Sequence, residues 1–132
     1  MPLFSLIPLF SAMAPFLLWP IELVLPYPHI IEEAPKTVIV FSLISSNVKT
    51  QEKIKIAIIA GIMFSISETV LYLFNIMLVG DLTTIFTRIL LTVPLHIITM
   101  LIILASALYD KRLIIFGVIA AVLIHYLFNL AV

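Results

Sequence analysis

The sequence predicts an all-α protein that crosses a membrane several times as a bundle of about five helices. Hydrophobic residues make up 64% of the 132 residues and charged residues 11%, whereas soluble domains contain about 45–50% apolar and about 25% charged residues. A chain this apolar has too little polar surface to face water, which excludes a soluble enzyme. The net charge of zero argues against nucleic acid as a partner, and the absence of cysteine excludes thiol chemistry. We expect one integral membrane domain over residues 1–132.

Five apolar stretches provide the predicted spans, because a helix needs about 20 residues to cross the hydrocarbon layer. They cover approximately residues 2–25, 30–46, 54–79, 82–108 and 113–132. The first stretch contains Pro8, Pro15 and Pro20, and each proline removes a backbone donor and kinks or ends a helix. The first span is therefore predicted to be broken or tilted, or to form two half-helices.

Charges in the turns predict the orientation of the helices. The turn at residues 47–53 contains Lys49 and Lys53, and the turn at residues 110–112 contains Lys111 and Arg112, whereas the Gly80-Asp81 turn has no basic residue. Cytoplasmic loops carry the excess of Lys and Arg. The sequence thus predicts a multi-pass protein of the cell membrane with an extracytoplasmic C-terminus.

Seven ionisable side chains lie within the predicted spans rather than in turns. They are Glu32, Glu33, Lys36, Glu68, Arg88, His96 and His125; the remaining charged residues, Glu22 among them, fall in loops or at span ends. A charge at the bilayer centre costs about 2.5–3.5 kcal/mol on insertion scales, so such groups face a protein interior or a wet cavity and often mark a functional site.

The spacing of these groups places them on one face of each helix, because residues three or four apart share a face. The stripes are Glu32 with Lys36 and Glu33 with Thr37; Gly61, Ser65, Glu68, Tyr72 and Asn75; Arg88, Thr92 and His96; and Gly117, Ala121, His125 and Asn129. We expect the four stripes to converge on one site at or somewhat outside the bilayer middle. A simple ion pair between Glu32 and Lys36 at a helix start is the alternative interpretation of the first stripe.

The order of these motifs is typical of one family. Glu32-Glu33-Ala34-Pro35-Lys36 matches E-E-x-x-K, residues 61–72 match G-x-x-F-x-x-x-E-x-x-x-Y, Arg88 and His96 are eight apart in one span, and residues 125–129 match H-x-x-x-N. Over about residues 30–130 the chain resembles the PrsW family of intramembrane proteases. That resemblance also implies a relationship to CAAX-prenyl proteases and bacteriocin-processing proteins.

Peptide hydrolysis needs an activated water, a base and stabilisation of the developing oxyanion. Glu68, His96 and His125 supply a carboxylate and two imidazoles, which suit a catalytic Zn²⁺ site with an open position. In this version Glu32 or Glu33 is the general base. In a metal-free version the two glutamates activate water and the histidines bind or polarise the substrate, and the sequence does not decide between the two.

The remaining polar residues are assigned supporting roles. Asn129 is expected to orient His125 or to bind the oxyanion, and Lys36 to adjust the charge of the glutamate pair. Arg88 and Tyr72 are expected to support the site, Arg88 as a structural group rather than as a catalyst.

The predicted partners are the lipid bilayer and a membrane-protein or lipidated-peptide substrate, whose identity is open, as is the oligomeric state. Two functions of other classes compete with the protease hypothesis. A small proton- or ion-conducting or transporter component could use a Glu/His relay, and a non-catalytic protein could bind partner helices. The order and spacing of the motifs favour the protease, because a relay does not require them.

The predicted orientation can be tested by cysteine labelling, since the chain has no cysteine of its own. In Asp81→Cys and Asp110→Cys, a membrane-impermeant maleimide is expected to label the two variants from opposite sides. Lys49→Cys serves as the control and should label from the same side as Asp110→Cys. Labelling of all three variants from one side would contradict the orientation.

Overall fold

The structure is a computed structural model that describes residues 6–79 and 82–131. Within these residues it contains helices and turns but no β-strand. The helices are α1 (Ile7–Glu22), α2 (Pro28–Ile31), α3 (Glu33–Ile44), α4 (Thr50–Val79), α5 (Leu82–Tyr109) and α6 (Ile114–Ala131), with a 3₁₀ turn at Lys111–Leu113 before α6. The prediction of an all-α membrane-type bundle is therefore confirmed.

Three segments are long and apolar enough to cross a membrane: Thr50–Phe74, Ile85–Tyr109 and Lys111–Ala131. They correspond to the last three predicted spans. The first two predicted spans are shorter helices, since α1 has 16 residues and α3 has 12. The second predicted span is also divided into two helices, because Glu32 is both the C-cap residue of α2 and the N-cap residue of α3. The Gly80-Asp81 turn lies outside the described residues.

The first helix differs from the prediction of a proline-broken span. Pro15 and Pro20 lie inside α1, which is continuous from Ile7 to Glu22. A proline inside a helix removes a backbone hydrogen bond, but neighbouring contacts can hold such a helix together. Here α1 packs against α4, and the Ser11 hydroxyl donates to the Ala60 carbonyl oxygen at 2.6 Å.

Helix α5 lies at the centre of the bundle and packs against α3, α4 and α6. The core between these helices consists of aliphatic side chains and small residues: Ile39, Val40, Leu43, Ala57, Ala60, Met100, Ile103, Leu104 and Ala121. Large apolar side chains such as Phe41, Phe86 and Phe116 are exposed on the outside. An apolar outer surface of this kind suits a lipid environment.

Two glycines allow the long helices to approach closely, as small residues do between membrane helices. A Cβ added at Gly61 would lie 3.0 Å from the Ile97 Cα and 3.1 Å from the His96 carbonyl oxygen. A Cβ added at Gly117 would lie 3.1 Å from the Ile103 Cα and would also meet the Ser106 side chain. The contact at Gly61 matters most for the site, because it sets the distance between α4 and the backbone of His96.

Gly61→Ala is therefore expected to destabilise the protein by about 1–3 kcal/mol, the usual cost of overpacking a core. Thermal unfolding in detergent measures this effect. Val70→Ile is the matched control, because it adds one carbon to the same helix at a side chain that is 39% exposed. Equal melting temperatures for the two variants would show that the close approach at Gly61 is unimportant.

Candidate active site

Five of the ionisable side chains singled out from the sequence come together where the start of α3 meets α4, α5 and α6. They are Glu32, Glu33, Glu68, His96 and His125. Four of these side chains are buried, and that of Glu68 is 12% exposed. The helix stripes thus meet in one region of the described structure.

Glu33 is the anchored member of the glutamate pair. Its Oε1 accepts a hydrogen bond from the Lys36 Nζ at 2.5 Å, and both side chains are almost completely buried. Lys36 also donates to the Thr99 hydroxyl at 2.9 Å and lies 5.2 Å from the centre of the Phe64 ring. Lys36 thus pairs with Glu33 rather than with Glu32, the partner that the four-residue spacing suggested, and it ties α3 to α5.

The same oxygen of Glu33 also orients His125. The Nδ1 of His125 lies 2.8 Å from the Glu33 Oε1, and its Nε2 lies 3.5 Å from the Glu32 Oε2. A carboxylate only accepts hydrogen bonds, so Nδ1 carries a proton in this contact. The Nε2 edge of the ring is thereby directed toward Glu32, in the manner of a histidine oriented through its second nitrogen.

His96 is held by α4. Its Nε2 contacts the Glu68 Oε2, and its ring lies against Phe64 and the ring of His125, with centroid distances of 4.9 and 5.5 Å. The His96 side chain is fully buried. Its Nδ1 has no hydrogen-bond partner within residues 6–79 and 82–131.

Glu32, Glu68 and His96 form a group that fits a metal ion, because each offers a ligand atom and these atoms lie within 4.8 Å of one another. The buried Glu32 Oε2 has no hydrogen bond in the described part of the chain. Two carboxylates and an imidazole are ligand types that Zn²⁺ accepts. This group contains Glu32, whereas the set predicted from the sequence was Glu68, His96 and His125. His125 remains next to this group, with its Nε2 3.5 Å from the Glu32 Oε2.

Two cavities reach this group from different sides. The first, which we call the α1 cavity, has a volume of about 170 Å³ and is lined by Pro15, Trp19, Glu22, Leu23, Glu32, Glu68, Leu71 and Tyr72. The second, the α6 cavity, has a volume of about 230 Å³ and is lined by Pro28, Glu32, Glu68, Tyr72, Arg88, Thr92, Leu95, His125, Phe128 and Asn129. Glu32, Glu68 and Tyr72 line both cavities, so the candidate site lies at their junction.

Three of the residues predicted to support the site, Tyr72, Arg88 and Asn129, line the α6 cavity. The Arg88 guanidinium lies over the Tyr72 ring, 4.0 Å from its centre, in a cation–π contact. Asn129 lines this cavity with an exposed side chain, and the described structure contains no hydrogen bond between it and His125. The orientation of His125 comes from Glu33 instead. The side chain of Asn75 lies outside the described residues.

Glu22 is a site residue that the sequence analysis missed, because it placed this carboxylate at a span end. The structure places it in the α1 cavity together with Glu32 and Glu68. Pro15, Trp19 and Glu22 are spaced by four and three residues, which puts them on one face of α1. This spacing indicates that Glu22 shares a helix face with Pro15 and Trp19, but a helix predicted to be broken has no such continuous face.

Lys36→Met is expected to destabilise the protein by about 3–5 kcal/mol, because it leaves the buried Glu33 carboxylate without its cation. Lys36→Met/Glu33→Gln should recover part of the loss. Lys55→Met is the matched control: Lys55 also pairs with a glutamate three residues earlier, Glu52, at 2.8 Å, but both side chains are exposed. Thermal unfolding in detergent provides the comparison, and equal losses for Lys36→Met and Lys55→Met would refute a stabilising role of the buried pair.

A comparison with known families matches most of the chain. The model of a family described as "PrsW family intramembrane metalloprotease" matches residues 23–132. No curated protein and no solved structure gives a match. The matched region begins directly after α1 and contains every helix that contributes to the Glu32–Glu68–His96 group. The chain therefore belongs to the PrsW family of intramembrane metalloproteases.

Proposed function

We propose that the protein hydrolyses a peptide bond of a membrane-embedded or membrane-bound substrate at the Glu32–Glu68–His96 group. The observation that carries the proposal is the buried juxtaposition of these three side chains, with ligand atoms within 4.8 Å of one another and cavities on two sides. The family membership supports the reaction class. Buried ionisable groups at membrane depth are costly, and a catalytic role explains why the chain retains them.

The two adjacent glutamates have different roles in this proposal. Glu33 is occupied by Lys36 and His125 and acts as a positioning residue. Glu32 lies beside Glu68 and His96 and lines both cavities, whereas Glu33 lines neither of these cavities, so we assign Glu32 the acid–base chemistry. Glu32 accepts a proton from the attacking water as the new C–O bond forms, and it returns that proton to the leaving nitrogen as the C–N bond breaks.

Stabilisation of the oxyanion is assigned to the side of the α6 cavity. His125 and Asn129 both line this cavity. We assign the Nε2 edge of His125 and the amide of Asn129 as the groups that face the developing oxyanion. Donors aimed at a developing charge in a site that excludes water are usually the largest contribution to catalysis.

The residues also fit a metallo-type reaction. Glu32, Glu68 and His96 would hold a divalent cation such as Zn²⁺, which when bound supplies Lewis-acid polarisation of the substrate carbonyl. The charges are compatible with this occupant, since Glu32, Glu33 and Glu68 outnumber Lys36 and Arg88 at this depth. In this version His125 and Asn129 keep the role of oxyanion donors.

The expected substrate is a membrane protein or a lipidated peptide, which reaches the buried site laterally from the bilayer. We further propose that the Gly80-Asp81 turn and the C-terminus are extracytoplasmic, as the basic turns indicate. The wider relationship to the CAAX-type proteases stays a prediction from the motifs.

The reaction is tested with the purified protein in liposomes and a mixture of synthetic single-span peptides, with products identified by mass spectrometry. Glu32→Gln, His96→Ala and His125→Ala are each expected to lower the rate of cleavage by about 10²–10⁴, the usual cost of removing an acid–base or oxyanion group. Glu52→Gln, at an exposed residue of α4, is the control and should cleave at the parent rate. If the variant that combines these three substitutions cleaves at the parent rate, the catalytic assignment of the residues is refuted. If the parent cleaves no peptide and the substitutions change proton flux across the liposome membrane, the relay function is favoured.

Metal content separates the two versions of the mechanism. In the metallo version the purified parent contains about one Zn²⁺ per chain, as expected for a site with three protein ligands and an open position. Glu32→Gln, Glu68→Gln and His96→Ala should then lose the metal, whereas Glu33→Gln should retain it. A parent that cleaves equally well after chelation, with no metal detected by elemental analysis, would establish the glutamate-type version.

A further inference from the structure

The two cavities share Glu32 and Glu68 and differ in the charged side chain that each adds to this pair. The α1 cavity has Glu22 as the acidic group beyond the shared residues, and the α6 cavity has Arg88 as its basic group. Neither side chain forms an ion pair with an oppositely charged residue in the described part of the chain. Both are only partly buried, so each can reach a bound molecule.

A charge in an apolar chain is costly, and a ligand of opposite charge would offset part of that cost. Around Glu22 the lining is mainly apolar and includes Pro15, Trp19 and Leu71. Around Arg88 it includes Thr92, Leu95 and Phe128. Each cavity therefore adds one charged side chain and apolar surface to the shared glutamates, as expected for pockets that accept a charged side chain and its apolar neighbours.

We propose that the two cavities are the two halves of one substrate-binding site and that Arg88 and Glu22 determine its charge specificity. This inference rests on the proposed peptidase function. The residues before the scissile bond, the acyl side, lie in the α6 cavity, where Arg88 favours an acidic side chain. The residues after that bond, the amine side, lie in the α1 cavity, where Glu22 favours a basic side chain.

The direction of the peptide follows from the chemistry at the junction. The assigned oxyanion donors His125 and Asn129 line the α6 cavity and are not among the residues that line the α1 cavity. The carbonyl carbon and the acyl side therefore belong with the α6 cavity. Hydrolysis then forms a carboxylate on the side of Arg88 and an amine, which takes up a proton, on the side of Glu22. Each cavity thus also carries the charge that complements the product formed there.

Glu22 makes the proposal specific to this chain. It ends α1, and it precedes the region that the family model matches, residues 23–132. The short first helix thus has a function of its own, because it forms the wall of the α1 cavity and contributes a charge to it. Its packing on α4 through the Ser11–Ala60 hydrogen bond holds that wall beside the site.

The experiment uses three synthetic single-span peptides in liposomes that differ only beside the cleaved bond. One has Asp on the acyl side and Lys on the amine side, one has these two residues exchanged, and one has Ser at both positions. For the parent we expect kcat/KM to be about 10-fold higher for the Asp/Lys peptide than for the exchanged peptide, equivalent to one moderately favourable charge pair. Mass spectrometry of both products identifies the cleaved bond.

Charge reversal provides the decisive comparison. Arg88→Glu should favour Lys on the acyl side, and Glu22→Lys should favour Asp on the amine side, whereas Arg88→Lys should keep the preference of the parent. Arg112→Glu and Glu52→Lys make the same charge changes at exposed residues away from the cavities and should leave the ratio unchanged. Because the readout is a ratio between peptides, a general loss of folded protein does not imitate the expected result.

If the charge-reversal variants fail to fold, Arg88→Gln and Glu22→Gln replace them. Arg88→Gln should abolish the preference for an acidic residue on the acyl side, and Glu22→Gln should abolish the preference for a basic residue on the amine side. Equal cleavage of the three peptides by the parent would overturn the charge specificity and leave the peptidase function intact. An unchanged preference in the Arg88 and Glu22 variants would also overturn it. If the parent cleaves no peptide, the proposed function and this inference both fail.

Discussion

The arrangement of the site depends on one buried carboxylate oxygen, the Oε1 of Glu33. It accepts a hydrogen bond from Lys36 at 2.5 Å and lies 2.8 Å from the Nδ1 of His125, while Lys36 also donates to Thr99. A buried charge without a partner costs several kcal/mol, so these groups stabilise the bundle only when they are together. The start of α3 is therefore fixed against α5 and α6 at once, and Glu32, the neighbouring residue, is fixed with it.

This anchoring gives two adjacent residues of the same type different surroundings. The Oε1 of Glu33 is shared by Lys36 and His125, whereas Glu32 approaches Glu68 and His96 and lines both cavities. The pairing of Glu33 also limits the net charge of the interior, because Lys36 compensates one of the carboxylates. The remaining negative charge lies at the junction of the cavities, where a cation or a proton is bound most favourably.

Close helix packing completes the site. Gly61 allows α4 to contact the backbone of α5 at His96 and Ile97, so Glu68, two turns further along α4, reaches the His96 ring. The first helix is held separately, through the hydrogen bond of Ser11 to α4, and it closes the α1 cavity without contributing to the Glu33 anchor. The centre of the site is thus built by α3 to α6, and α1 adds only its outer wall.

The sequence by itself predicted the all-α membrane fold, because its long apolar stretches have the length of membrane-spanning helices, and it located the long helices α4, α5 and α6. It also identified the polar faces of helices α3 to α6, since a period of 3.6 residues defines such a face without knowledge of the partners. Only the tertiary structure decided which helix faces meet and how far the helices are shifted along one another. Lys36 pairs with Glu33 because Thr99 and His125 lie on that side, and Glu22 joins the site because α1 continues past its prolines. Spacing along one helix cannot specify how helices are rotated and shifted against one another, and that relative placement assigned each polar residue its partner.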